Sequence, residues 1–340
     1  MKEGCVWEKN RVISTGKEPD MIDTAGAQPR ATWVERTTQI RITLGEFCLA
    51  NVGFRAMTLP GFDWRYPIDI TDQLIQSLLQ SPVEAVYLSS FPTSGRLPRL
   101  SFRKYWFRYV PWQAGRHYID LDGTFQQYLG RFSAKSRNTL ARGARKFAEA
   151  SGGAVDFREY RHPDDMSAFH EAASQVTRKT FQHKLLKSGL PLTDDFRGKL
   201  FELAALDKFR GYILFHGKSP VAFMYCTAHN DVLTGQVAGY DPAFQQYSPG
   251  TLLLYHILNR VFSEGRFRVF DFGIGESSYK DFFGTGVASC AAVYHFAYTP
   301  KNVAFLGAHL ATWFVSAAVV KILSVLRIKD FVKKAIRRAS

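Results

Sequence analysis

Apolar positions recur along the chain with two periods. The run IRITL (Ile40–Leu44) alternates apolar and polar residues, and EAVYLSS (Glu84–Ser90) is a short apolar run; both patterns predict strands. Between them, TDQLIQSLLQS (Thr71–Ser81) has helical spacing, with Thr71 as N-cap and Leu74, Leu78 and Leu79 as the buried face. This first block, to about Trp112, predicts a small α/β unit. Its aromatic residues, among them Trp64, Tyr66, Trp106 and Trp112, are expected to pack first and to stack on ligands only second.

A second block opens at HYIDLDG (His117–Gly123). Asp122 or Thr124 can cap one helix, Ser133 or Ser136 can cap the next, and Gly152-Gly153 ends it. A strand (Val155–Tyr160), a helix from Pro163 and a helix over Phe196–Leu206 follow. Two apolar runs, RGYILFH and PVAFMYCTAH, flank the turn GKS, and VLTGQVAGY comes next. After a Ser-Pro-Gly break come a helix over Gly250–Glu264 and the runs RVFDFG and AAVYHFAY. The order predicts a mixed α/β (α+β) fold. The expected organisation is a polar, loosely attached N-terminus (1–36), a small α/β domain (37–118), a larger α/β domain (119–300) and a C-terminal segment (301–340).

That last segment begins with VAFLGAHLATWFVSAAVV (Val303–Val320), which is uncharged and nearly long enough to span a bilayer. His309, Thr312 and Ser316 recur at helical spacing, and this polar stripe predicts a helix packed on the domain, with an interfacial membrane helix or a true span as the alternatives. KILSVLRIKDFVKKAIRRAS follows, basic and amphipathic by pattern. The whole chain has 44 Lys and Arg against 30 Asp and Glu, a net charge of +14. Such a field favours polyanions: nucleic acid, an anionic lipid surface or a phosphate-bearing cofactor. Cys5, Cys48, Cys226 and Cys290 are widely spaced, so neither a zinc site nor a disulfide framework is expected, and no metal is assigned. The N-terminus has no apolar signal region, and the expected location is the cytoplasm, peripheral at the inner membrane face.

The Ser-Pro-Gly break (Ser248–Gly250) carries the candidate chemistry. A helix N-terminus offers unpaired N–H donors and a partial positive charge, and so binds anions readily. Pro249 has no N–H to give, and Gly250 lets a bulky phosphate reach the backbone without meeting a Cβ.

Strand, turn, Gln245-x-x-Ser248-x-Gly250 and helix resemble the Q/R-x-x-G-x-G/A loop of the GNAT acyltransferase superfamily, with Ser248 in place of the first glycine. GYDPAFQQYSPGTLLLYHIL followed by FDFGIGESSYKDFFG resembles the FemAB-like branch, and within it the group associated with cellulose and exopolysaccharide biosynthesis. FSAKSRNTLARGARK and TRKTFQHKLLKSGL resemble the same group. The likeness covers about 119–300 and extends loosely to the first block, which would then be a degenerate GNAT-type unit in tandem.

The resemblance implies an enzyme, an N-acyltransferase using acetyl-CoA or another acyl-CoA as co-substrate and an amine-bearing acceptor. It implies that Gln245, Gln246, Tyr247, Ser248, Gly250 and Thr251 hold the pyrophosphate, and that Val237, Ala238 and Gly239 lie along the pantetheine arm near the thioester. The amine would attack the thioester directly. Asp241 and Glu276 are the candidate bases, Tyr279 the candidate acid, and Tyr279-Lys280 matches a pair that the branch places near its acceptor. Each has a structural alternative: Asp241-Pro242 is a common turn pair, and Lys280 could be a solvated lysine. Two other functions stay open. One is aminoacyl-tRNA-dependent transfer, with Lys135, Arg142, Arg145 and Lys146 on the RNA backbone. The other is a non-catalytic scaffold docked on a membrane-bound polysaccharide synthase.

Overall fold

A computed structural model describes residues 33–44, 47–59, 62–66, 68–180 and 189–325. The N-terminal expectation up to residue 32, Cys5, and the basic tail from 326 lie outside the described residues. The elements in chain order are β1 (Val34–Leu44), β2 (Phe47–Thr58), α1 (Asp72–Leu78), β3 (Ala85–Pro92), β4 (Leu100–Phe102) and β5 (Trp106–Asp120). Next come α2 (Phe125–Gly130), α3 (Ala134–Ala150), β6 (Asp156–Tyr160), α4 (Met166–Lys179) and α5 (Asp194–Ala205). Then follow β7 (Phe209–His216), β8 (Ser219–His229), β9 (Val232–Tyr240), α6 (Pro249–Glu264), β10 (Val269–Ile274), α7 (Ser278–Phe283), β11 (Gly286–Ala297) and α8 (Pro300–Val325). Helix content and strand content are interleaved, and the fold is mixed α/β.

The chain divides into two units. The first comprises Met1–Gly115, Ile274–Glu276 and Ala288–Ser340. Its strands run in the order β1-β2-β3-β11-β5, with β4 paired to β5. β1 and β2 form an antiparallel ladder, β2 and β3 pair in parallel, and β11 lies antiparallel to β3 with Tyr294 opposite Tyr87. On one face, Phe305 and Leu306 of α8 pack with Phe54, Phe107, Tyr294 and Phe296. On the other, Ile75 of α1 packs with Val86 and Trp106. Thr71 does cap α1, its hydroxyl accepting from Leu74 N at 3.1 Å. The buried residue of that helix is Ile75, however, with Leu74, Leu78 and Leu79 only half-buried. At 100° per residue, Ile75 lies centrally between Leu78 and Leu79, and a helix of two turns buries little beyond that centre.

The second unit comprises Arg116–Gly273 and Ser277–Val287. From the end of β5 its strands run β10-β9-β8-β7-β6. β7 explains the two layers. Tyr212 and Leu214 point to a core made by α2, α3 and α6, whereas Phe209, Ile213 and Phe215 point to a core under α4 and α5. Three helices start on side-chain caps: Thr124 on Gln127 N (3.2 Å), Ser133 on Ser136 N (3.1 Å) and Thr193 on Phe196 N (3.3 Å). Thr124 and Gln127 complete a capping box. Cys226 and Cys290 are buried thiols; burial pushes the Cys226 thiol far up, so it serves as a small apolar side chain.

Candidate functional site

The site grows out of a fault in the sheet of the second unit. β9 pairs with β8 so that Val237 faces Tyr225 and Gly235 faces Cys226, which leaves Gln236 as an extra, bulged residue. Its side-chain amide donates to Thr227 Oγ1 at 2.7 Å and fixes the bulge. On the other edge, β9 pairs in parallel with β10 over three positions only, Val232–Thr234 with Val269–Asp271. From Gly235 onward that edge of β9 has no strand partner among the described residues. A bulge sharpens local twist, so the two strands part where it occurs. The backbone groups along the freed edge must find partners elsewhere, which makes the gap a slot for an extended, amide-bearing ligand.

The loop after β9 is shaped by three residues. Asp241 is buried and caps the 3-10 turn Pro242–Tyr247, its Oδ1 accepting from Ala243 N at 3.0 Å. Its Oδ2 accepts from Lys179 Nζ at 2.9 Å. Phe244 and Tyr247, three apart and so on one face of a 3-10 turn, anchor it. Phe244 lies 5.0 Å from the His216 ring, and Tyr247 lies 6.0 Å edge-on from Phe147. Gln245 and Gln246 are thereby left exposed.

Ser248 then takes the left-handed conformation, φ 50° and ψ 53°, and becomes the N-cap of α6. This is the position where the GNAT loop has a glycine, and the conformation is the one glycine adopts without strain. Ser248 O accepts from Leu252 N at 3.1 Å. Pro249 has no N–H, so the donors that open outward are those of Gly250 and Thr251. Two cations touch the turn that precedes this helix: Lys179 through Asp241, and Lys146 with its Nζ 5.5 Å from the Tyr247 ring centre. Val237 is buried, Gly239 half-buried and Ala238 exposed, all on the strand that feeds the loop.

At the point where β9 and β10 part, Asp271 is fully buried. Its carboxylate accepts from Arg116 Nε at 2.9 Å and from a second guanidinium nitrogen, from Gly273 N at 2.7 Å and from Thr234 Oγ1 at 3.4 Å. Arg116 is the residue that sequence reasoning missed, since 155 positions separate it from Asp271 and no motif marks it. Nearby in sequence, Tyr279 of α7 is exposed and packs edge-on against Phe272 at 5.7 Å. Lys280 is buried, which removes the solvated-lysine alternative. Glu276 is exposed and falls in the first unit. His256, on α6, stacks on Phe157 at 5.5 Å, and burial lowers its pKa, so it stays neutral.

Residues 134–281 match the family described as acetyltransferase (GNAT) domain. Over that span the chain is similar to GNAT acetyltransferase domains. No curated protein matches the chain. Among solved structures, the chain is similar to FemX at 10% identity, with a TM-score of 0.49 over 78% of this chain and 88% of that one. It is similar to L-PGS from Bacillus licheniformis at 13% identity, with a TM-score of 0.45 over 83% and 86%. It is also similar to a conserved protein of unknown function from Bacteroides thetaiotaomicron at 9% identity, with a TM-score of 0.47 over 78% and 83%. None of these three likenesses is close enough to decide a substrate. The matched span runs from the start of α3 into α7, so it includes the parted strands, the 3-10 turn and the start of α6.

Proposed function

We propose that the GNAT domain moves an acyl group from acyl-CoA to an amine, the observation that carries this being the freed edge of β9 leading directly into the open N–H groups of Gly250 and Thr251. The slot accepts the pantetheine amides along Val237, Ala238 and Gly239. The pyrophosphate sits on the backbone of Gln245–Thr251, with Lys146 and Lys179 adding positive charge. A backbone N–H of the freed edge donates to the thioester oxygen as negative charge develops there. The amine nitrogen attacks the carbonyl carbon and the C–S bond breaks. The amine's proton passes to water, and the departing sulfur takes one from Tyr279. Lys280 steadies charge at the acceptor. Asp241, with both oxygens engaged, holds the loop in shape instead of moving protons.

The acceptor, on the family resemblance, is an amine in envelope polysaccharide or cellulose biosynthesis, and peripheral attachment at the inner membrane face would bring the enzyme to it. One observation favours an aminoacyl-tRNA donor instead. Lys135, Arg142 and Arg145 on α3 are exposed and make no ion pair among the described residues, as a backbone-reading surface would. The chemistry would be the same, with a ribose oxygen leaving in place of sulfur. Calorimetric titration with acetyl-CoA and with total tRNA, each at low and high salt, separates the readings. Saturable acetyl-CoA binding without RNA binding supports the first. Salt-sensitive RNA binding alone supports the second, and neither would leave the scaffold role.

A further inference from the structure

Helix α8 presents the wrong face to water. It packs on the first unit through Asn302, Phe305, Leu306 and His309. Asn302 Nδ2 donates to the carbonyls of Glu84 (3.0 Å) and Ala297 (2.9 Å), and His309 Nδ1 lies 2.6 Å from Tyr109 Oη. Thr312 and Ser316 are half-buried, and the Thr312 hydroxyl donates to His309 O at 3.0 Å. The polar stripe read from the sequence is therefore the side turned toward the sheet.

At 100° per residue, Val303, Gly307, Ala311, Phe314 and Ala318 form one ridge on the opposite side, with Val315 beside it. All are exposed: Val303 by 52%, Phe314 by 62% and Val315 by 50%. No side chain on this ridge can hydrogen-bond or carry charge. A surface helix ordinarily has the reverse arrangement, and a contiguous apolar ridge marks a surface that something else covers.

The chemistry at its borders identifies the cover. The ridge is followed in the chain by a strongly basic stretch, whereas Trp313, under the Arg99 guanidinium at 4.3 Å, lies in line with Asn302 and Leu306 on the packed side. From Lys321 to the last residue, the sequence has seven Lys and Arg against the single acid Asp330. An apolar ridge running straight into a cationic segment is the composition of an interfacial helix on an anionic bilayer. We infer that the outer ridge of α8 seats the first unit on an anionic lipid surface, with the helix lying in the plane of the membrane. It does not cross: its polar side is bonded to the sheet, and among the described residues no helix is long and apolar enough to span. This deepens the peripheral-attachment part of the proposed function and rests on none of the acyl-transfer chemistry.

The test is flotation of the full chain with vesicles of phosphatidylcholine, or of phosphatidylcholine and phosphatidylglycerol in equal parts, at low and high salt. Wild type should float with the anionic vesicles at low salt and be partly released by high salt. The double variant Phe314→Glu, Val315→Glu should bind them at least about tenfold more weakly, because it puts charge where apolar area was buried. Its melting temperature and its acetyl-CoA affinity should match wild type. A wild type that floats with neither vesicle overturns the inference, as does a variant that floats equally well. A wild-type dimer that the variant converts to a monomer, with no vesicle binding by either, would assign the ridge to a second copy and overturn it too. Failure of acetyl-CoA binding in all proteins, with flotation as expected, would count against the acyl-transfer reading alone.

Discussion

The ammonium of Lys179, at the last residue of α4, donates to the buried carboxylate of Asp241 at 2.9 Å, tying that helix to the loop that begins at the end of β9. The other oxygen of Asp241 caps the turn. Asn can cap as well as Asp, so Asp241→Asn should keep the turn, the fold and acetyl-CoA binding. Asp241→Ala should lower stability by about 1–2 kcal/mol, the cost of a lost cap, and weaken acetyl-CoA binding through the misshaped loop. Chemical denaturation and calorimetry read both effects. A loss of turnover by orders of magnitude in a well-folded Asp241→Asn protein would instead make Asp241 the base.

Gly250 offers a direct test of the anion site. A Cβ built there would meet only Tyr240 Cδ1 at 3.6 Å, an ordinary contact. The protein itself therefore does not require glycine at this position. Gly250→Val should fold with a melting temperature within a few degrees of wild type, yet lose acetyl-CoA affinity by more than about tenfold, since a β-branched side chain would stand where the phosphate approaches. Equal affinity in the variant would move the pyrophosphate elsewhere.

Ser248 predicts the opposite sign. Holding a serine in the left-handed region costs about 1–2 kcal/mol, and glycine removes that cost while adding about 0.5–1 kcal/mol of chain entropy to lose on folding. Ser248→Gly should thus leave stability unchanged or raise it slightly, with acyl-CoA binding retained. A clear drop in melting temperature would mean that the hydroxyl does something in the loop that the backbone geometry does not account for.

What could be read from the sequence was local. Thr71, Thr124 and Ser133 cap helices within three residues of themselves, so their signals survive without tertiary context. β7 and β8 were legible for a similar reason, as apolar runs on either side of a two-residue turn. Arg116 and Asp271 were not, because their contact depends on which strands become neighbours across 155 positions. The return of β11 and α8 to the first unit was hidden likewise. At α8 the stripe did mark a helix packed on the first unit, but the partners were not legible: Asn302 and His309 are buried against two backbone carbonyls and Tyr109. The candidate loop lay between. Its glycine and proline announced a break, while the bulge at Gln236 that opens the slot left no mark in the sequence.

The buried histidines predict acid sensitivity. His295 on β11 packs edge-on against Trp106 at 4.8 Å, and burial, reinforced by Arg108 and Arg103, lowers its pKa from the ordinary 6.5 to about 3. Burial lowers His309 in the same direction. A base whose folded pKa is depressed stays neutral in the native state while the unfolded chain takes up a proton below about pH 6.5. The unfolded state then binds more protons, so stability falls as pH drops through the window between 6.5 and about 3. Each such histidine steepens that fall by up to about 1.4 kcal/mol per pH unit. His295→Phe, an aromatic replacement that keeps the ring against Trp106, should flatten the decline in melting temperature between pH 6.5 and pH 4.5, two points inside the window. The comparison is made at each pH by thermal denaturation of both proteins. Parallel curves would show that His295 takes up its proton in the folded state after all.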